Sequence, residues 1–156
     1  MDKIDFGSVS ASLLGHASVM VVSGGKTIYI DPYKIPENSP KADIILVTHE
    51  HYDHCDPDVI RQLSDNDTKI VAAKGCASKI DGGVTETAAG DSMTVDDVSI
   101  KAIQAYNIEK PYHPKGLGVG YIIKVSDVKI YHAGDTDQIP EMKSLKDENI
   151  DIAFLP

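Results

Sequence analysis

Tryptophan is absent from this chain and phenylalanine occurs only twice. With hydrophobic residues at 42%, a core must be filled by Ile, Val, Leu and Ala instead. Two cysteines, Cys55 and Cys76, are too few to staple a domain and form no CxxC pair, so they read as reduced thiols. No apolar run reaches the roughly 20 residues needed to cross a bilayer. The start, MDKIDFGSVS, lacks the basic-then-apolar order of a secretion signal. Together these absences lead to the expectation of a soluble cytoplasmic protein with no membrane partner. Positive charge is also scarce: 15 Lys and Arg face 24 Asp and Glu, a net charge of −9. This argues against a non-specific nucleic-acid binder, which needs a basic face, and no nucleic-acid partner is expected. A nuclease is not excluded, because a bound metal inverts the local field. No Gly-Lys-Ser/Thr phosphate loop is present, and GLGVG (116–120) precedes a strand rather than opening a helix, which argues against dinucleotide binding.

The 156 residues fit one domain, 1–156, without internal repeat, low-complexity segment or linker. The apolar pattern is mostly strand-like. SVSASLL, SVMVV and TIYID predict an antiparallel meander, with a glycine turn at SGGK (23–26). The Pro-rich loop PYKIPENSPKA leads into DIILVT, a continuous apolar run that predicts a strand buried on both faces. Asp56 and Pro57 are a good N-cap and first helical residue for PDVIRQLS. KIVAA predicts another strand, GCASKI a short helix, and DSMTVDDVSIKAIQAY a hairpin turning at Asp96 and Asp97. GVGYIIKV and VKIYHAG form a second predicted hairpin, PEMKSLK a short helix and DIAFL a last strand. Strands first, then strands mixed with helices, imply sheets packed face to face with helices outside. An apolar strand so close to Pro156 carries a further expectation: covering structure is missing, and Ile150, Ile152, Phe154 and Leu155 are exposed.

Six histidines occur in the chain, and three fall within THEHYDHCD (48–56). In an extended segment residues i and i+2 point the same way, so His49 and His51 can hold one ion while Glu50 points away. Asp53 and His54 lie in the turn into the helix and can face a second ion. Neutral imidazole and carboxylate suit Zn²⁺, Mn²⁺ or Fe. Ligands at the carboxyl end of a strand lie where α/β active sites form. One loop cannot complete the coordination. Asp135, in YHAGDTD, follows a strand and could bridge two ions. His113 offers an imidazole in the loop AYNIEKPYHPKG, with Asn107 nearby. His132 lies inside a strand and reads as support rather than ligand. His16 reads equally as packing or as pocket lining. Thr48 and Asp31 flank the site, and Asp31 could orient a ligand imidazole. Lys115 reads as an exposed loop lysine, with contact to an anionic substrate as the alternative. Ser, Cys and His form no convincing nucleophile set.

His49-x-His51-x-Asp53-His54 at a strand end, with GDT downstream, resembles the metallo-β-lactamase superfamily. LGHASVMV, TIYIDPY, ADIILVTHEHYDHCDP, QAYN, HPKGLGVGYII and IYHAGDTDQIPEM extend the resemblance over essentially the whole chain. It is most similar to the branch of small hydrolases around the ascorbate-6-phosphate lactonases. The resemblance implies an α+β, αββα fold: a sandwich of two mixed β-sheets flanked by helices, here truncated at the C-terminus. It implies His49, His51 and a third histidine on a first ion, Asp53 and His54 with a further histidine on a second, and Asp135 between them. Related members carry the third histidine directly after an Ala-aromatic pair. Asn107 occupies that position here, and His113 is the nearest substitute. The family's C-terminal histidine for the second ion has no counterpart after His132.

The expected function is hydrolysis of a small ester, lactone or phosphoester by a metal-bound hydroxide, with Asp53 orienting or deprotonating the nucleophile. One or two divalent ions are required, Zn²⁺ as the first expectation and Mn²⁺ or Fe as alternatives. The expected partner is a small-molecule substrate, with a second copy of the chain as a cover for an open C-terminal face. Two readings compete: a metal-binding module with an incomplete dinuclear site and no turnover, and redox chemistry at a di-iron site.

Overall fold

The computed structural model describes residues 2–156. Among the described residues, twelve strands form two sheets. The first sheet takes β1 (Asp2–Phe6), β2 (Val9–Gly15), β3 (Ser18–Ser23), β4 (Lys26–Ile30), β5 (Ile44–Val47), β6 (Lys69–Ala73) and β7 (Val84–Thr87) in chain order. The second takes β8 (Ser92–Val95), β9 (Val98–Gln104), β10 (Val119–Val125), β11 (Val128–His132) and β12 (Ile152–Phe154), also side by side in chain order. One helix, α1 (Pro57–Leu63), joins β5 to β6, and a 3₁₀ helix (Pro140–Asp147) joins β11 to β12.

The strand chemistry explains the layering. β1 to β4 pair antiparallel, and β4 to β7 pair parallel. β5 is buried at all four residues, IILV, as a strand covered on both faces must be. β9 alternates instead, with Val98, Ile100 and Ala102 inside and Ser99 and Lys101 outside. Residues of both sheets share one core, with Ile28, Ile44 and Leu46 of the first and Ile100, Ile123 and Ile130 of the second fully buried. Aliphatic side chains dominate this core, but Tyr29 and Tyr121 are fully buried in it too, which the sequence reading did not expect. Tyr121 on β10 crosses between the sheets, donating its hydroxyl proton to the Val47 carbonyl at 2.9 Å. A smaller cluster of Ile122, Tyr131 and Ala133 on the second sheet is covered by Leu145 of the 3₁₀ helix and by Ile150.

Asp56 caps α1 as expected, its side chain accepting from the N–H groups of Asp58 and Val59. Three elements differ from the sequence reading. GCASKI forms turns rather than a helix, with separate bonds from Cys76 N–H to Ala73 and from Lys79 N–H to Cys76. The chain enters this segment through Gly75 at φ +94°, outside the helical region, and single i→i−3 turns follow in place of a continuous ladder. PEMKSLK is the short helix expected, and its turns are 3₁₀. The edge strands β1 and β7 were not anticipated, because neither carries an apolar run: β1 is exposed throughout and β7 buries only Thr87. At β12, Ile152 joins the core, contrary to expectation, because parallel pairing with Ile130 turns it inward. Leu155 is 70% exposed.

Candidate metal centre

β4, β5 and β6 run parallel, so their carboxyl ends share one edge. Asp31 follows β4, Thr48 and His49 follow β5, and Lys74 follows β6. The second sheet delivers Asp135 just beyond β11, and the Val119 N–H bonds the Thr48 carbonyl at 2.9 Å where the sheets meet. Gly134 makes this approach feasible. Its φ is +64°, and an added Cβ would lie 2.9 Å from the Val119 carbonyl oxygen.

Hydrogen bonding fixes which nitrogen each imidazole presents. A carboxylate accepts only. The Thr48 hydroxyl therefore donates to Asp31 Oδ2 at 2.6 Å, and its lone pair is left to accept from His49 Nδ1 at 2.9 Å. His54 Nδ1 donates to the same Asp31 oxygen at 2.8 Å. His113 Nδ1 donates to Asn107 Oδ1. In each ring Nε2 is the nitrogen turned into the site. His49 Nε2 and His54 Nε2 are buried without a hydrogen-bond partner among the described residues.

Asp135 stands between these nitrogens. Its Oδ2 lies 3.9 Å from His49 Nε2 and 3.3 Å from His113 Nε2, while its Oδ1 lies 3.3 Å from His54 Nε2. His51 Nδ1 and His113 Nε2 are 3.1 Å apart, a separation that needs a shared proton or a shared cation. Donors on one zinc at roughly 2.0–2.2 Å are separated by roughly 3.3–3.6 Å in tetrahedral geometry. His49, His51 and His113 form one set whose donor atoms all lie within 4.8 Å of one another, and His16, Asp53 and His54 form another. Both sets fit a divalent cation with N/O preference: buried unpartnered nitrogens, a carboxylate facing both ways, and no thiolate. Asp31, His49 and His54 also converge, but both Asp31 oxygens are already taken by Thr48 and His54, so Asp31 orients rather than ligates.

Proton affinities follow from this crowding. Burial, with His54 alongside, holds His49 down to about 4, so its ring is neutral. Burial also opposes charge on His54, but the carboxylates of Asp135 and Asp31 on either side raise it to about 10. The contact with His54 lowers Asp135 to about 2, against burial. Without a cation, then, a proton on His54 compensates the buried carboxylate of Asp31 and the half-buried one of Asp135.

The two loops that complete the site hold each other. Tyr106 N–H donates to Thr136 Oγ1 at 3.1 Å, Asp137 N–H to the Tyr106 carbonyl at 2.9 Å, and Ile108 N–H to Asp137 Oδ2 at 2.7 Å. The His113 loop is thus tied to the Asp135 loop. His132 uses both ring nitrogens on backbone, donating from Nε2 to the Ala17 carbonyl at 2.8 Å and accepting from Gly134 N–H at 3.2 Å. Lys115 is away from the site, contrary to one reading of the sequence. It pairs with Glu141 and lies over the Tyr106 ring, because its loop turns outward after Pro114. A cavity of about 220 Å³ opens beside His49, His51, His113 and Asp135, walled by Pro111, Tyr112, Pro114 and Leu117. Lys74 and Glu50 also line it. The sequence reading missed Lys74, although its position just after a parallel strand marks such an edge.

A family profile described as the beta-lactamase superfamily domain matches residues 11–156. A UPF0173 metal-dependent hydrolase of Lysinibacillus sphaericus is 34% identical over 161 residues, covering 91% of this chain and 70% of the relative. One from Thermococcus onnurineus is 35% identical, covering 95% and 71%. A crystal structure of a proposed metal-dependent hydrolase from Parabacteroides distasonis superposes with a TM-score of 0.90 at 36% identity, over 99% of this chain and 74% of that one. Igni18, a metallo hydrolase of Ignicoccus hospitalis, shares the fold with a TM-score of 0.75 at 22% identity, over 95% and 70%.

Proposed function

The chain belongs to the beta-lactamase superfamily and is a metal-dependent hydrolase, and we propose that it cleaves a small ester, lactone or phosphoester at a two-ion centre. The observation that carries this reading is Asp135, whose two oxygens face different histidines, with two buried nitrogens left without partners beside it. His49, His51 and His113 would hold the first ion, Asp53 and His54 the second, and Asp135 both. Zn²⁺ suits this donor set, as do Mn²⁺ and Fe²⁺. Divalent ions so held supply an acidified water and polarise the oxygen of the scissile group.

The residues of the chain perform the remaining tasks. Asp31, Thr48 and Asn107 hold three rings in the tautomer that exposes Nε2. Asp53 accepts the proton of the attacking water, which then passes to the oxygen of the leaving group as its bond to carbon or phosphorus breaks. Pro111, Tyr112, Pro114 and Leu117 give the substrate an apolar wall. A cavity of about 220 Å³ on the His113 side and one of about 500 Å³ on the His16 side both reach Asp135, space for a small substrate.

The test is a panel of nitrophenyl esters, five- and six-membered lactones and a nitrophenyl phosphodiester, run on protein loaded separately with Zn²⁺, Mn²⁺ and Fe²⁺. Turnover of one class that is abolished by chelator and restored by metal is the expected result. Metal uptake without turnover of any class would overturn the substrate assignment.

A further inference from the structure

His16 sits in the turn between β2 and β3, far in sequence from the other histidines. The pairing register of β2 and β3 slips between Leu13 and Gly15. The chain then takes φ +150° at Gly15 and +53° at His16. The second value is unfavourable for a residue with a side chain, and such conformations concentrate at functional sites. The turn is held on both sides. His132 donates to the Ala17 carbonyl, and the Ser18 hydroxyl donates to the Asp31 carbonyl at 2.8 Å while accepting from Tyr33 N–H. The backbone is thereby locked to the same strand end that carries Asp31.

This locked turn directs the His16 ring at the second half of the metal centre. His16 Nε2 lies 3.0 Å from Asp53 Oδ2, and its ring stands edge-on to His54 at 5.2 Å between centroids. An independent observation points to the same space: His54 Nε2 is buried, unpartnered and 3.3 Å from Asp135 Oδ1. Separations of 3.0 and 3.3 Å are close to those between neighbouring donors on one zinc ion. His16, Asp53 and His54 bring ligand atoms within 4.8 Å of one another, and Asp135 reaches the same His54 nitrogen.

We propose that His16 is an imidazole ligand of the second ion, alongside Asp53, His54 and Asp135. This rests on the two-ion reading above. The second set then has two imidazoles and two carboxylates, where the first has His49, His51, His113 and Asp135.

The experiment is a Co²⁺ titration of the metal-free chain, followed by calorimetry and by the visible ligand-field bands, for the wild type, His16→Ala and His16→Gln. Gln keeps a hydrogen-bond donor for Asp53 but removes the imidazole. The expected result is two equivalents in the wild type. In both variants the first equivalent is unchanged, the second is weakened at least about 10-fold, and the bands of the second Co²⁺ shift. The 10-fold value is a floor, taken from the loss seen when residues supporting a ligand are replaced. A second equivalent bound as tightly in both variants as in the wild type would overturn the role of His16 and leave the two-ion centre standing. Retention in Gln but not in Ala would also overturn it, reducing His16 to a hydrogen-bond partner of Asp53. A wild type that binds fewer than two equivalents would overturn the two-ion reading and this inference with it. Circular dichroism of the metal-free variants checks that each is folded.

Discussion

Asp31 and His54 are joined at 2.8 Å with both side chains fully buried, and the same carboxylate receives the Thr48 backbone N–H and hydroxyl. One carboxyl group therefore fixes the tautomer of His54 directly and that of His49 through Thr48. Asp31→Asn keeps the shape but removes the charge and one acceptor. Metal affinity should fall by about 10–100-fold, the usual loss when a group supporting a ligand is replaced. Competition against a chromophoric chelator measures it, and an unchanged affinity would show that the rings are oriented without Asp31.

His113→Ala should lower affinity for the first ion by at least about 10-fold. Asn107→Ala should weaken the same ion by less, because it frees the ring without removing it. A titration in which Asn107→Ala costs more than His113→Ala would reverse the roles assigned to these neighbours.

Gly134→Ala tests the close approach of the sheets. Its Cβ would meet the Val119 carbonyl oxygen at 2.9 Å in a left-handed backbone conformation. The expected loss in chemical denaturation is about 1–3 kcal/mol. Metal affinity should fall with it, since Asp135 is the next residue.

Tyr131 gives a pH-dependent prediction away from the metal centre. Burial raises its hydroxyl to about 12, and that hydroxyl has no hydrogen-bond partner among the described residues. A folded-state value above the unfolded value of about 10 means that this contribution is fully present below pH 10. It is lost as pH rises from about 10 through 12. Tyr131→Phe removes the unpaired hydroxyl at almost constant shape. It should be neutral or stabilising at pH 7, and its stability should fall less than that of the wild type between pH 10 and 12. Denaturant midpoints across this range decide it; parallel curves would refute it.

Removal of metal should lower the melting temperature. An ion that binds only the native state at 100 times its dissociation constant stabilises by about 2.7 kcal/mol. Scanning calorimetry with and without chelator should show the shift, and His49→Ala should reduce it. An identical melt in chelator would mean that the centre is not loaded under those conditions.

Much of this centre was legible before any coordinates. His49, His51, Asp53 and His54 are close in sequence, so strand periodicity and a turn suffice to bring them together. The strands flanking them announce themselves as apolar runs, and Asp56 with Pro57 marks the helix because capping is local chemistry. Tertiary structure decided the rest. His16 lies 37 residues before Asp53, and only the slip between β2 and β3 and the bond from His132 to Ala17 turn it into the site. That His113 faces His51 and Asp135 depended on a loop clamped by Thr136 and Asp137, more than 20 residues away. The tautomers depended on Asp31 reaching across from a neighbouring strand. Local spacing determines which donors lie side by side; pairing between distant strands determines which others join them, because backbone hydrogen bonds and a shared core set the positions that loops alone would leave undefined.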